Sequence, residues 1–205
     1  MDIKLNFINN SNDRNNSHVV IFGRNVATAF NEMPVAWQVI QRCGQGDNHP
    51  FVYPVTMTVS ASDSYGNFTP QFAVEFGQQF AMVRTPSGDQ LVHVGDSGNP
   101  DEVEVLNSLE AGSIDAFVHK AGKVFAAKTS IAPQQKAVFH FQPILSIGAV
   151  SEIEEGATMS SAVASSANAE FSLLGIASAD IVMTGGGSGP DARPFEFNIE
   201  NIVVA

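Results

Sequence analysis

The sequence predicts an all-β chain, an antiparallel β-sandwich of jelly-roll or immunoglobulin-like type with room for one short helix, and three observations predict it. Phe is abundant (15) while Lys and Arg together number only 10, a palette that favours pleated strands over helices. Turn-forming clusters recur along the chain, at residues 9–17, 43–50, 60–67, 85–89, 95–102 and 185–194. Between them lie runs of strand length, several with apolar and polar side chains alternating.

With 205 residues, 44% of them hydrophobic, the chain can bury a sizeable core. Residues 1–205 are read as a single sandwich domain, with the turn at 95–101 as the place of a subdomain boundary if there are two. No internal repeat shows in the sequence, and no Pro- or Gly-rich linker halves it.

Taken in order, KLNFI, HVVIFG, YPVTMTVSA, QFAVEFG and QFAMV are the N-terminal strands. The segment PVAWQVIQRCG (34–44) reads two ways. Pro34 and Gly44 would frame a short helix, but Val35, Trp37 and Val39 alternate as on a strand, and the β surroundings favour the strand. In EVEVLNSL, Val103 and Val105 share one face while Glu102 and Glu104 share the other. SIDAFVHKAGKVFAAKTS then forms two strands around an Ala121-Gly122 turn, with Gly122 supplying positive φ. Its charges Lys120, Lys123 and Lys128 are expected to face solvent.

In KAVFHFQPILSIGAV, Pro143 cannot donate a ladder hydrogen bond and marks an edge, a bulge or a break. Residues 151–168 are small and lack apolar periodicity, which suits a mobile connection or a flat strand. Strand character returns in AEFSLLGI, ADIVMTG and PFEFNIENIVV.

Charge narrows the function. A formal net charge of −11 repels a phosphate backbone, and no basic patch offsets it, so no nucleic-acid partner is expected. MDIKLNFINNSN has no basic start followed by an apolar stretch, and no run reaches the ~20 apolar residues of a membrane helix. Cys43 is the single cysteine, which excludes an internal disulfide and fits a reducing compartment. A cytoplasmic protein, or one released without a cleavable signal peptide, is expected.

Catalytic constellations are weak. His93, His119 and His140 lie on strands and, with Glu152, could hold a metal, but each is isolated in sequence, without the paired spacing of strand-borne ligands. Cys43 and His49 could form a thiol–base pair, although a buried thiol and a turn histidine are the simpler assignment. GGGSGP (185–190) lacks the Lys-Ser/Thr ending of a phosphate loop, and Pro190 and Pro194 oppose the helix that would follow. The loop aspartates lack calcium-loop spacing. No catalytic residue is assigned and no cofactor is expected.

Aromatic residues beside polar loops point to ligand binding. Tyr65 and Phe68 flank the Gly66-Asn67 turn, and Trp37, Phe51 and Tyr53 bracket the loop that holds Asp47 and His49. Trp37, Asp47, His49, Tyr53, Tyr65 and Phe68 are therefore the candidate ligand-binding residues. The leading reading is a non-enzymatic, lectin-like binding or interaction protein whose loops take a glycan or a membrane-surface ligand, with self-assembly into a homo-oligomer. A membrane-acting, pore-forming or insecticidal toxin-like protein, suggested by the Ser/Ala/Gly-rich stretch 156–169, is the alternative. A metal-dependent β-barrel enzyme using the histidines is the third.

Overall fold

The computed structural model describes residues 2–27, 33–165 and 169–205. Nearly all of the regular structure is strand, in four four-stranded sheets of a sandwich-like all-β fold. The first four strands are β1 (Ile3–Asn9), β2 (His18–Phe22), β3 (Gln38–Ile40) and β4 (Asn48–Tyr53). Eight follow: β5 (Met57–Asp63), β6 (Phe72–Val74), β7 (Gln78–Thr85), β8 (Gly88–Asp96), β9 (Val103–Asn107), β10 (Ile114–Lys120), β11 (Lys123–Ile131) and β12 (Lys136–Phe139). The last four are β13 (Ile144–Val150), β14 (Ala169–Ser172), β15 (Ile176–Gly186) and β16 (Arg193–Val204), with one helix, α1 (Ser161–Ser165), before β14.

The sequence reading assigns residues 1–205 to one sandwich. Contacts along the chain gather into two compact units. The first is built from Met1–Arg24, Met33–Val55 and Pro143–Ala205, the second from Thr56–Gln142 joined by residues 25–27. The turn at 95–101 lies inside the second unit, between β8 and β9.

In the first unit one sheet has the order β16-β15-β1-β4 and the other β14-β13-β2-β3. Alternation along β1 buries Ile3, Leu5 and Phe7 and leaves Lys4 exposed, so this strand has one greasy face. Its parallel neighbour is β15, with Phe7 opposite Ile181. Trp37 packs edge-on against Phe51 and Tyr53, with ring centroids 6.4 and 5.8 Å apart.

The second unit has sheets β11-β10-β5-β6 and β12-β9-β7-β8. Met57, Val59 and Ala61 of β5 and Ile114, Ala116 and Val118 of β10 line its core from one sheet. Val103 and Val105 of β9 with Phe80 and Met82 of β7 line it from the other. Rings bridge the sheets, Phe72 lying 6.3 Å from Phe80.

Several local expectations are met and others corrected. The β10–β11 hairpin turns at Ala121-Gly122, both with positive φ (53° and 75°), as a two-residue turn with the right twist requires. Residues 38–40 are strand, because β2 offers them an antiparallel ladder with Val20 opposite Val39. The one α-helix among the described residues falls instead inside 151–168, at α1, where Ala164 joins Val20, Phe22, Ala36 and Met159 in an apolar cluster. Residues 166–168 of that stretch lie outside the described residues. Pro143 is a break, placed where the chain leaves one unit for the other.

Lys120, expected in water, and Glu104, on the face of β9 opposite Val103 and Val105, are both covered. Glu104 is 1% exposed and is held by Lys136 Nζ at 2.6 Å and by the Gln79 amide. Lys120 is 4% exposed, its ammonium lying 5.5 Å from the centre of the Phe125 ring.

Candidate functional site

Turn chemistry builds the site. After β5 the carboxylate of Asp63 accepts the backbone N–H groups of Tyr65 and Asn67, both at 2.9 Å, and the Asn67 side-chain amide at 2.8 Å. Those bonds, the Asn67 side chain's first, hold the Asp63 carboxyl below its ordinary range. The clamp turns the chain outward and presents Tyr65, 83% exposed, and Phe68, 71% exposed. Phe68 packs against the Phe117 ring, with centroids 5.8 Å apart. Next to it Thr69 exchanges bonds with Ala61, its N–H donating to the carbonyl at 2.9 Å and its hydroxyl accepting the amide at 3.0 Å.

The β7–β8 hairpin forms the opposite wall. Thr85 Oγ1 donates to the Gly88 carbonyl at 2.8 Å and contacts Ser87 Oγ at 3.0 Å, to which Gln90 Nε2 donates at 3.0 Å. Arg84 forms an ion pair with Asp89 across the hairpin. Between the walls lies a groove of about 350 Å³. Phe68, Pro70, Phe72 and Leu91 supply its apolar lining, and Thr69, Ser87, Asp89 and Gln90 its polar lining.

This combination has a definite chemical competence. Partly exposed rings offer apolar faces, while a hydroxyl, an amide and a carboxylate on a rigid hairpin offer donors and acceptors. The groove can therefore hold a solute with both apolar C–H faces and hydroxyl groups.

The sequence-derived candidates divide between two places. Phe68 lines the groove, and Tyr65 is exposed on the turn three residues before it without being among the lining residues. Trp37 (1% exposed) and Tyr53 (5%) belong to the first unit's core, and burial pushes the Tyr53 phenol up to about 12. Rings so enclosed offer no face to a solute. Asp47 is exposed and accepts the Gly44 N–H at 2.9 Å, closing a turn, and His49 is an exposed residue of β4 opposite Phe7. Thr69, Phe72, Ser87, Asp89 and Gln90 were missed by sequence reasoning. The turn cluster at 85–89 marks the hairpin, but nothing local says that it faces the β5–β6 loop.

The weaker constellations do not assemble. Among the described residues no three His, Cys, Asp or Glu side chains gather closely enough to hold a metal ion. His93 is exposed beside Phe80, and His140 lies 6.4 Å from the Phe76 ring. His119 is buried with Nε2 2.9 Å from Ser60 Oγ. Among the described residues its Nδ1 has no hydrogen-bond partner, so nothing orients the ring as a triad base would be oriented. Burial lowers its pKa and favours the neutral ring. Burial, and then the charge of Asp47, raise the Cys43 thiol, opposite to what a nucleophilic thiolate needs. The GGGSGP glycines end β15 and lead through a short 3-10 turn (Gly189–Asp191) into β16. No helix among the described residues is long and apolar enough to cross a membrane.

Comparisons of the chain with known protein families, with curated proteins and with solved structures found no match.

Proposed function

We propose that the chain is a non-enzymatic carbohydrate-binding protein whose ligand occupies the groove between the β5–β6 loop and the β7–β8 hairpin. One observation carries this reading: the exposed rings of Phe68 and Phe72 stand beside Ser87, Asp89 and Gln90. A pyranose presents a C–H face that stacks on an aromatic ring and equatorial hydroxyls that need donors and acceptors at its edge. The Arg84–Asp89 pair holds one acceptor in place before the ligand arrives, which lowers the ordering cost of binding.

A glycan array followed by titration calorimetry tests the proposal. A hit whose affinity falls about tenfold or more in Phe68→Ala, roughly the loss of one stacking contact, supports it. Phe68 is mostly exposed, so this variant keeps the parent's stability within about 0.5 kcal/mol. An array with no hit, or a hit indifferent to both Phe68→Ala and Asp89→Ala, removes the groove from the account.

A further inference from the structure

The two units have the same strand topology. Shifting every strand number by eight turns the sheet β16-β15-β1-β4 into β8-β7-β9-β12, and the sheet β14-β13-β2-β3 into β6-β5-β10-β11; these are the two sheets of the second unit. The directions agree as well. Among the described residues each unit has one parallel strand pair, β1 with β15 and β7 with β9, and these correspond under the shift while the other strand pairs are antiparallel.

Individual bonds repeat too. Asn9 ends β1 and Asn107 ends β9, and both are buried. The Oδ1 of each accepts the N–H two residues on, from Ser11 at 2.9 Å and Leu109 at 3.1 Å. The Nδ2 of each donates to a carbonyl just after or at the end of the corresponding third strand, Cys43 at 2.6 Å and Ile131 at 2.8 Å. The next residue's N–H donates to a methionine carbonyl of the parallel neighbour, Met183 at 2.8 Å and Met82 at 3.0 Å. Ala205 donates to Gly175 as Ser97 donates to Gly77, and both glycines have positive φ.

We infer that the chain is a tandem duplication of one eight-strand module, β1–β8 followed by β9–β16, with the modules' four-strand halves exchanged, and that a second copy of this chain is a partner joined by the same exchange made between chains. Neither unit comes from one module. The second unit takes β5–β8 from the first module and β9–β12 from the second, and the first unit takes what remains.

Hinge length explains the exchange. Only residues 54–56 join β4 to β5, and only 140–143 join β12 to β13, each with a proline. Three extended residues reach about 10 Å, roughly the spacing of two packed sheets. A module closing on itself would have to cross from β4, at the edge of its sheet, to an interior strand of the other sheet with no slack. It takes its complement from another module instead, and short hinges of this kind favour swapping. Within one chain the other module supplies that complement; during folding at high concentration a second chain competes for it.

A cysteine pair read on the full-length chain tests this. Lys4 of β1 faces Ser178 of β15 in register, so Lys4→Cys and Ser178→Cys are introduced with Cys43→Ser. The protein is refolded from denaturant when dilute and when concentrated, separated by light-scattering chromatography and oxidised. The expected result is a species of doubled mass that grows with refolding concentration, survives dilution, and runs as a covalent dimer on non-reducing denaturing gels. The monomer peak is then cross-linked within its own chain. Monomer alone at every concentration, or a dimer whose cysteines close within each chain, overturns the inference. A folded monomer that forms no cross-link also does, because it denies the β1–β15 pairing on which the equivalence rests.

Discussion

Asn107 shows how much one buried polar side chain can hold. Its amide donates to the Gly112 and Ile131 carbonyls and its oxygen accepts the Leu109 N–H, tying three chain segments together at the end of β9. Asn107→Ala leaves the buried Ile131 carbonyl and Leu109 N–H without their partner and is expected to cost about 3 kcal/mol in urea unfolding. Glu104 gives a pH signature. Its burial acts to raise its pKa, but bonds from Lys136 and Gln79 and the lysine charge outweigh it, so the folded-state value lies below the ordinary 4.5. The resulting stabilisation is present above the unfolded value and is lost as pH falls through the folded one. Stability measured from pH 6 downward should drop below about pH 4.5, and Glu104→Gln should flatten that drop. The same residue shows a limit of alternation as a guide. Glu104 stands on the polar face of EVEVLNSL, yet Lys136 reaches it across the β9–β12 pair, and a strand read alone cannot reveal that its second face is covered.

At the scale of the element, what was legible is what is local. The β10–β11 hairpin could be read because alternation and the Ala-Gly turn lie within a few residues of each other. Trp37 and Phe68 both adjoin turn clusters and look alike in sequence; they differ because Trp37 is packed against Phe51 and Tyr53 and is 1% exposed, whereas Phe68 packs against Phe117 and stays 71% exposed. Such enclosure is long-range and leaves no nearby trace. The groove's second wall was illegible for the same reason. The β15–β16 connection carries a backbone prediction: a Cβ added at Gly185 (φ 86°) would lie 2.0 Å from the Pro194 carbonyl oxygen. Gly185→Ala should therefore destabilise the protein by about 2 kcal/mol or more, read as a lowered thermal midpoint.

At the scale of the whole molecule, the first unit depends on segments that are remote in sequence, as the bond from Asn6 to Asp180 across 174 positions illustrates. The second unit, apart from residues 25–27, is contiguous. The all-β class was readable from composition and turn spacing because it sums over many local signals. The duplication was hidden. Some matched positions keep the residue, as Phe51 and Phe139 do, and others only its chemical class, as Tyr53 and Phe141 do. Residues 23–37 join β2 to β3 in the first module where two residues join β10 to β11 in the second.

The pairing of β1 with β15 makes the two ends of the chain one sandwich, and interstrand nuclear Overhauser effects test it most directly. Backbone proton contacts in parallel register, between Leu5 and Ala179 and between Phe7 and Ile181, are the expected result. A β1 with cross-strand contacts to β4 alone would contradict the account.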